Sequence, residues 1–122
     1  MNLASKCAIV LKFQAAVAEY DEETAMSFIS QNAAVYWINS TTEQTFDGID
    51  EIREAYRKYW FSVPSQMIHL VKARISTEDD LIKYVFKGVF VINDEKQERH
   101  STSTFLIADD GKIVQINRYS KL

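Results

Sequence analysis

The chain carries two hydrophobic rhythms, a helical one in its first half and a strand-like one in its second. Across residues 3–19, Ile9, Val10, Phe13, Ala16, Val17 and Tyr20 recur at spacings of three and four, while Lys6, Lys12, Gln14 and Glu19 fall elsewhere. That pattern predicts an amphipathic helix. Asp21 predicts the N-cap of a second, short helix, with Glu22 and Glu23 in its positive first turn and Gln31-Asn32 ending it after about Ser30. Residues 33–38 then alternate as a strand, with Val35 and Trp37 on one face and Tyr36 and Ile38 on the other. Residues 43–46 predict a short strand. Asp47-Gly48 breaks the chain, and Asp50 predicts the cap of a third helix with Ile52, Tyr56, Tyr59 and Trp60 on its apolar side. Val63-Pro64 closes that helix.

The second rhythm has period two. Residues 65–77 and 80–93 read as long strands, separated by a turn at Glu78-Asp79 and followed by a turn over residues 94–97. Residues 98–119 read as a hairpin folded about Asp109-Asp110-Gly111. Strands gathered after helices predict an α+β fold, a curved antiparallel sheet with helices on one face. Gly88, alone in an apolar strand, predicts a bulge or bend.

Strand parity then predicts which side chains face the helices. Ser101, Ser103, Phe105 and Ile107 share one face. A four-residue turn over 94–97 sets Gly88 opposite Ser103 and turns Tyr84, Phe86 and Phe90 inward. A two-residue turn at Glu78-Asp79 sets His69 beside Gly88, with Met67, Val71 and Ala73 also inward. The last hairpin sets Ile116 beside Ser103 and leaves Arg118 inward. His69, Gly88, Ser103 and Ile116 thus form a row, with His69 and Ser103 as candidate catalytic groups. Trp37, Tyr84, Phe86, Phe90, Ile116 and Arg118 are the candidate ligand-binding residues. His69 reads either as a hydrogen-bonded structural histidine or as a proton-transfer group. Arg118 reads either as the partner of a carboxylate such as Asp47 or as the holder of a ligand's anionic group. On the opposite face Val85, Val89 and Val91 lie beside Thr102, Thr104 and Leu106, an apolar patch that predicts a homodimer.

Composition narrows the classes. With 122 residues, 47% of them apolar and 25% charged, the chain predicts one globular domain over 1–122. A net charge of −3 with scattered lysines and arginines argues against nucleic acid. One cysteine, Cys7, excludes an intrachain disulfide, and no His, Cys or carboxylate cluster has metal-ligand spacing. No Gly-rich loop suggests a nucleotide, so no cofactor is expected. No stretch is long enough for a membrane span, and a cytoplasmic protein is expected.

Several phrases, in order, resemble the nuclear transport factor 2-like (NTF2-like) superfamily, particularly its SnoaL-like and ketosteroid-isomerase-like members. They are SFISQNAAVYW, FDGIDEIREAYRKYW, the strand with His69, and TFLIADDGKIVQINRY. The resemblance implies a cone: a curved sheet wrapped over three helices, with a deep apolar pocket at its open end. Matched to ketosteroid isomerases, Phe13 stands where the family has an oxyanion-hole tyrosine. Trp37 stands at the general-base aspartate and Ser103 at the protonated aspartate. A Trp accepts no proton and a Phe donates none, so steroid isomerisation is rejected while the pocket is kept. The expected ligand is an apolar or aromatic small molecule. A non-catalytic ligand-binding or assembly module is favoured, because no inward carboxylate is foreseen. The alternative is a cofactor-independent lyase, isomerase or cyclase using His69 for proton transfer.

Overall fold

The computed structural model describes residues 1–121. Helix α1 spans Leu3–Ala18, its first turn capped by the Asn2 side chain, which accepts from the Ser5 amide at 2.8 Å. Val10, Phe13, Ala16 and Val17 form its buried stripe, as the spacing predicts. Helix α2 spans Glu22–Ser27, capped by Asp21, which accepts from the Thr24 amide at 3.2 Å. It ends sooner than predicted. Strand β1 already begins at Ile29 and runs to Ile38, so Gln31 and Asn32 lie in a strand. The cause is long-range: Ile29 is buried and pairs with Ile113, whose amide donates to the Phe28 carbonyl at 2.8 Å. Strand β2 is Glu43–Asp47. Helix α3, Ile49–Tyr56, is entered through Gly48 at φ 86°, a left-handed backbone that suits glycine. Gly48 is therefore the N-cap, and Asp50 lies inside the first turn rather than capping it. A π-helical turn, Arg57–Phe61, continues α3 and carries Tyr59 and Trp60.

Glu22 ties α2 to α3. Arg57 Nε lies 2.5 Å from its Oε1, Arg57 Nη2 2.9 Å from its Oε2, and Arg53 Nη1 3.2 Å from the same Oε2. The Arg57 hydrogen bonds, ahead of the smaller Arg53 contribution, hold the Glu22 carboxyl below its ordinary pKa. A depressed carboxyl stabilises the fold above its unfolded pKa and loses that contribution as pH falls through the folded value. Glu22→Gln is therefore expected to lower Tm by a few degrees at most at neutral pH. The gap to the native protein should close in acid, below the folded pKa. A gap that stays constant across the acid titration would show that ionisation of Glu22 contributes nothing.

The remaining strands are β3 (Ser65–Glu78), β4 (Leu81–Ile92), β5 (Glu95–Ile107) and β6 (Ile113–Lys121). They form one six-stranded curved sheet in the order β2-β1-β6-β5-β4-β3. The sheet is mixed rather than wholly antiparallel, because β1 runs parallel to β6. The helices cover one face. Val10, Phe13, Met26, Ile52, Ile82, Phe105, Ile113 and Ile116 are almost wholly buried between the two layers.

Three predicted registers are corrected. The β4–β5 turn is the pair Asn93-Asp94, both at positive φ, which these residue types tolerate. Gly88 therefore pairs with Arg99 instead of Ser103, a shift of four. Ser103 pairs with Arg118 instead of Ile116, a shift of two. Both shifts are even, so inward residues stay inward. Strand β3 differs. Its register slips between Met67 and His69 and again between Leu70 and Lys72. Each bulge flips the alternation. His69 consequently pairs with Val89 of the outer face and is exposed, and Val71 is 47% exposed. The irregularity expected at Gly88 sits instead on the partner strand, on either side of Leu70, the residue that pairs with Gly88.

Candidate functional site

Two adjoining chambers, of about 370 and 440 Å³, open between the helical layer and the sheet. Trp37, Trp60, Ser65, Phe86, Phe90, Ser101 and Arg118 line both. The chamber that runs under α1, called the deeper one for that reason, adds Tyr20, Met67, Tyr84, Val17 and Gln14. The outer chamber adds the Asn39–Thr42 loop, Tyr59, Arg99, His100 and Ser120.

Local chemistry explains each wall. Tyr20 sits just past the end of α1 with φ 60°, a left-handed conformation unfavourable for a tyrosine. There its ring stacks on Trp60 with centroids 5.4 Å apart, and its hydroxyl bonds to the Ser65 side chain. Burial pushes its pKa above the ordinary phenol value. Trp60 Nε1 donates to the Val17 carbonyl at 2.7 Å, and the ring meets Phe90 edge-on at 5.7 Å. Phe86 and Phe90 close over Gly88. A Cβ there would lie 2.9 Å from the Phe86 ring and 3.2 Å from Phe90, so the missing side chain lets both rings settle against the strand.

At the boundary of the chambers, the Arg118 guanidinium carbon lies 4.8 Å from the centre of the Trp37 ring. Arg118 Nε and Trp37 Nε1 both donate to Ser120 Oγ, at 3.4 and 3.3 Å. Burial raises the pKa of the Tyr56 hydroxyl beneath them, and the Arg118 charge offsets part of that rise. Loss of hydration lowers the pKa of Arg99, and repulsion from Arg118 lowers it further. Neither chamber is lined by an Asp or Glu. Among the described residues no group of three or more His, Cys, Asp or Glu gathers as a metal site, and no helix is long and apolar enough to cross a membrane.

Of the residues predicted from parity, Trp37, Tyr84, Phe86, Phe90 and Arg118 come together here. Three do not. Ile116 is 1% exposed and packed in the core between Val35 and Phe105. Ser103, 2% exposed, lies in the core below the cleft, and Ser101, two residues before it, reaches the lining. His69 projects on the outer face of β3, so the row joining it to Ser103 does not exist. Phe13 is buried, its ring edge-on to Tyr56 at 6.0 Å. Arg99 lies inside the hairpin predicted from residue 98, two positions before Ser101 on the same face, so its inward position is legible from alternation alone. Tyr20 and Trp60 read as core-stripe residues, and no local signal separates a core aromatic from a cleft wall.

The assembled groups can enclose an apolar body, and Arg118, Tyr84 and Ser101 add polar hydrogen-bonding groups to the lining. A carboxylate able to accept a proton does not line the cleft.

No family model matches the chain, and no curated protein matches it. Among solved structures, an NTF2-like protein from Burkholderia xenovorans superposes with a TM-score of 0.75 at 14% identity, covering 98% of this chain and 92% of that one. An LEH-like epoxide hydrolase from M. tuberculosis superposes at 0.73 with 15% identity, covering 96% and 83%. A ketosteroid isomerase-like protein from Erwinia carotovora superposes at 0.68 with 14% identity, covering 97% and 95%. At such identities the likeness establishes the fold and nothing finer.

Proposed function

We propose that this chain, built on the NTF2-like fold, binds an apolar or aromatic small molecule in the two-chambered cleft and acts as a non-catalytic ligand-binding or assembly module. The observation that carries this reading is the lining: aromatic walls and hydrogen-bond donors, without a carboxylate to take a proton. The alternative, a cofactor-independent lyase, isomerase or cyclase, draws support from structural neighbours described as an epoxide hydrolase and as ketosteroid isomerase-like. Proton transfer by His69 has no role in it, since that ring lies outside the cleft.

Trp37 and Trp60 are the chain's two tryptophans, and both line the cleft. Native fluorescence therefore reports its occupancy. Titration with the neutral probe N-phenyl-1-naphthylamine is expected to quench that emission saturably and raise Tm. Absence of both saturation and thermal stabilisation, with this probe and with Nile red, would remove the binding reading.

The outer sheet face supports a second proposal, a two-fold homodimer. Val85, Val89 and Val91 remain only half-buried there, Val85 opposite Thr102, Val89 opposite Glu98 and Val91 opposite Lys96, with Lys87 bridged to Glu98 at 3.4 Å. Ile68, in a bulge of the neighbouring edge strand beside the outward His69, is about half exposed. Three part-exposed valines interleaved with Lys87, Glu98 and Lys96 fit the apolar centre and charged rim of a subunit interface. Light scattering at micromolar concentration should give twice the chain mass, and Val89→Lys should halve it. A monomer in both cases would exclude the dimer.

A further inference from the structure

Arg99 and Arg118 both line the outer chamber, and among the described residues no carboxylate forms an ion pair with either. Every ion pair among the described residues involves Arg53, Arg57, Lys87 or His100. They reach the outer chamber from the same inward face of the sheet, their backbones roughly 13 Å apart along the strand direction, so that only the long side chains converge. Arg118 lies opposite Ser103 on β6, and Arg99 is four residues before Ser103 on the same inward face of β5. The third basic group of the outer chamber, His100, is engaged elsewhere, its Nε2 lying 2.7 Å from Glu98. Two like charges part-buried in one concavity repel one another, a contribution that adds to desolvation, the larger cause, in depressing the pKa of Arg99. Such an arrangement costs stability in the empty protein and is relieved by an anion.

We propose that Arg118 and Arg99 together form a carboxylate-binding site at the boundary of the two chambers, so that the ligand of this cleft is an organic acid with an aromatic or alicyclic body. The inference rests on the cleft being a ligand site, and it adds the ligand's charge and orientation. Arg118 lines both chambers, whereas Arg99 lines only the outer one. A carboxylate between them therefore directs the rest of the molecule into the deeper chamber, against Trp60, Phe86 and Phe90. The planar guanidinium fork matches the planar carboxylate. Stacking on Trp37 and the Nε bond to Ser120 hold the Arg118 fork in place before the ligand arrives, so less side-chain freedom is lost on binding.

The test compares two probes of one shape by calorimetry, 2-naphthoate and the neutral 2-naphthamide. The native protein is expected to bind 2-naphthoate at least about tenfold more tightly, with an affinity that falls as salt rises. Arg118→Gln and Arg99→Gln should each weaken 2-naphthoate by about tenfold and weaken 2-naphthamide by clearly less, so that the preference for the acid shrinks. Equal affinity of the native protein for the two probes would overturn the carboxylate site while leaving the cleft reading intact, and this comparison needs no variant to fold. Undiminished 2-naphthoate binding in both variants would overturn it as well. Failure of both probes to bind would remove the cleft reading and the inference with it.

Discussion

Phe13→Ala is expected to lower the unfolding free energy by about 3–5 kcal/mol, a fall in Tm of roughly 10–20 °C. Phe13 is 1% exposed and belongs to three layers of contact at once. Its ring meets Tyr56 of α3 edge-on at 6.0 Å and 89°, and Phe105 of β5 at 6.0 Å and 70°. Removing it deletes the transfer energy of the ring and two edge contacts, and it leaves a cavity bounded by a helix and a sheet that cannot both close inward. Thermal and urea unfolding followed by circular dichroism measure the effect. Phe13→Leu, which retains most of the volume, should cost less than half as much. A loss below about 1.5 kcal/mol for the alanine variant would mean that the layers collapse freely onto the vacancy, contrary to the packing described.

Trp60→Ala is expected to be the next largest change, and it separates stability from binding. Trp60 stacks on Tyr20, meets Phe90, and donates its indole N–H to the Val17 carbonyl. Truncation removes the shared wall of the two chambers and should cost about 3 kcal/mol, within the range for large aromatic deletions. Affinity for the neutral probe should fall by tenfold or more, because the stacking surface is gone. Trp60→Phe keeps an aromatic face and loses only the hydrogen bond to Val17, so a cost of about 1–2 kcal/mol with probe binding largely retained is expected. If Trp60→Ala binds the probe as tightly as the native protein, the ligand does not lie against this wall. The site would then have to be sought in the outer chamber alone.

The contrast between His69 and Arg118 shows what strand patterns can and cannot tell. Counting alternate residues from the predicted turns sets both inward. The β5–β6 register differs from the predicted one by two, and Arg118 still faces the cleft, because an even slip restores parity. The β4–β5 register differs by four, and Tyr84, Phe86 and Phe90 still face inward. In β3, single-residue bulges reverse parity between Met67 and His69 and restore it before Ala73, so the histidine turns outward while Met67 and Ala73 keep inward positions. A bulge is a property of two strands bending together, and the apolar run Met67 to Val71 has no alternation from which to read it.

The sequence alone determined whatever depends on neighbours a few residues apart. The buried stripe of α1, the Asp21 cap, the long strands, the Asp109-Asp110-Gly111 turn and the inward face of β4 and β5 all follow from periodicity and local backbone preference. Tertiary structure decided whatever joins distant segments. The parallel pairing of β1 with β6 turned a predicted helix end at Gln31 into a strand. The meeting of Tyr20, Trp60 and Phe90 made a wall from three elements, and Arg99 with Arg118 made a charged boundary from two strands. Periodicity states which face of an element is buried. It carries no record of which partner buries it, and a cleft is built from partners.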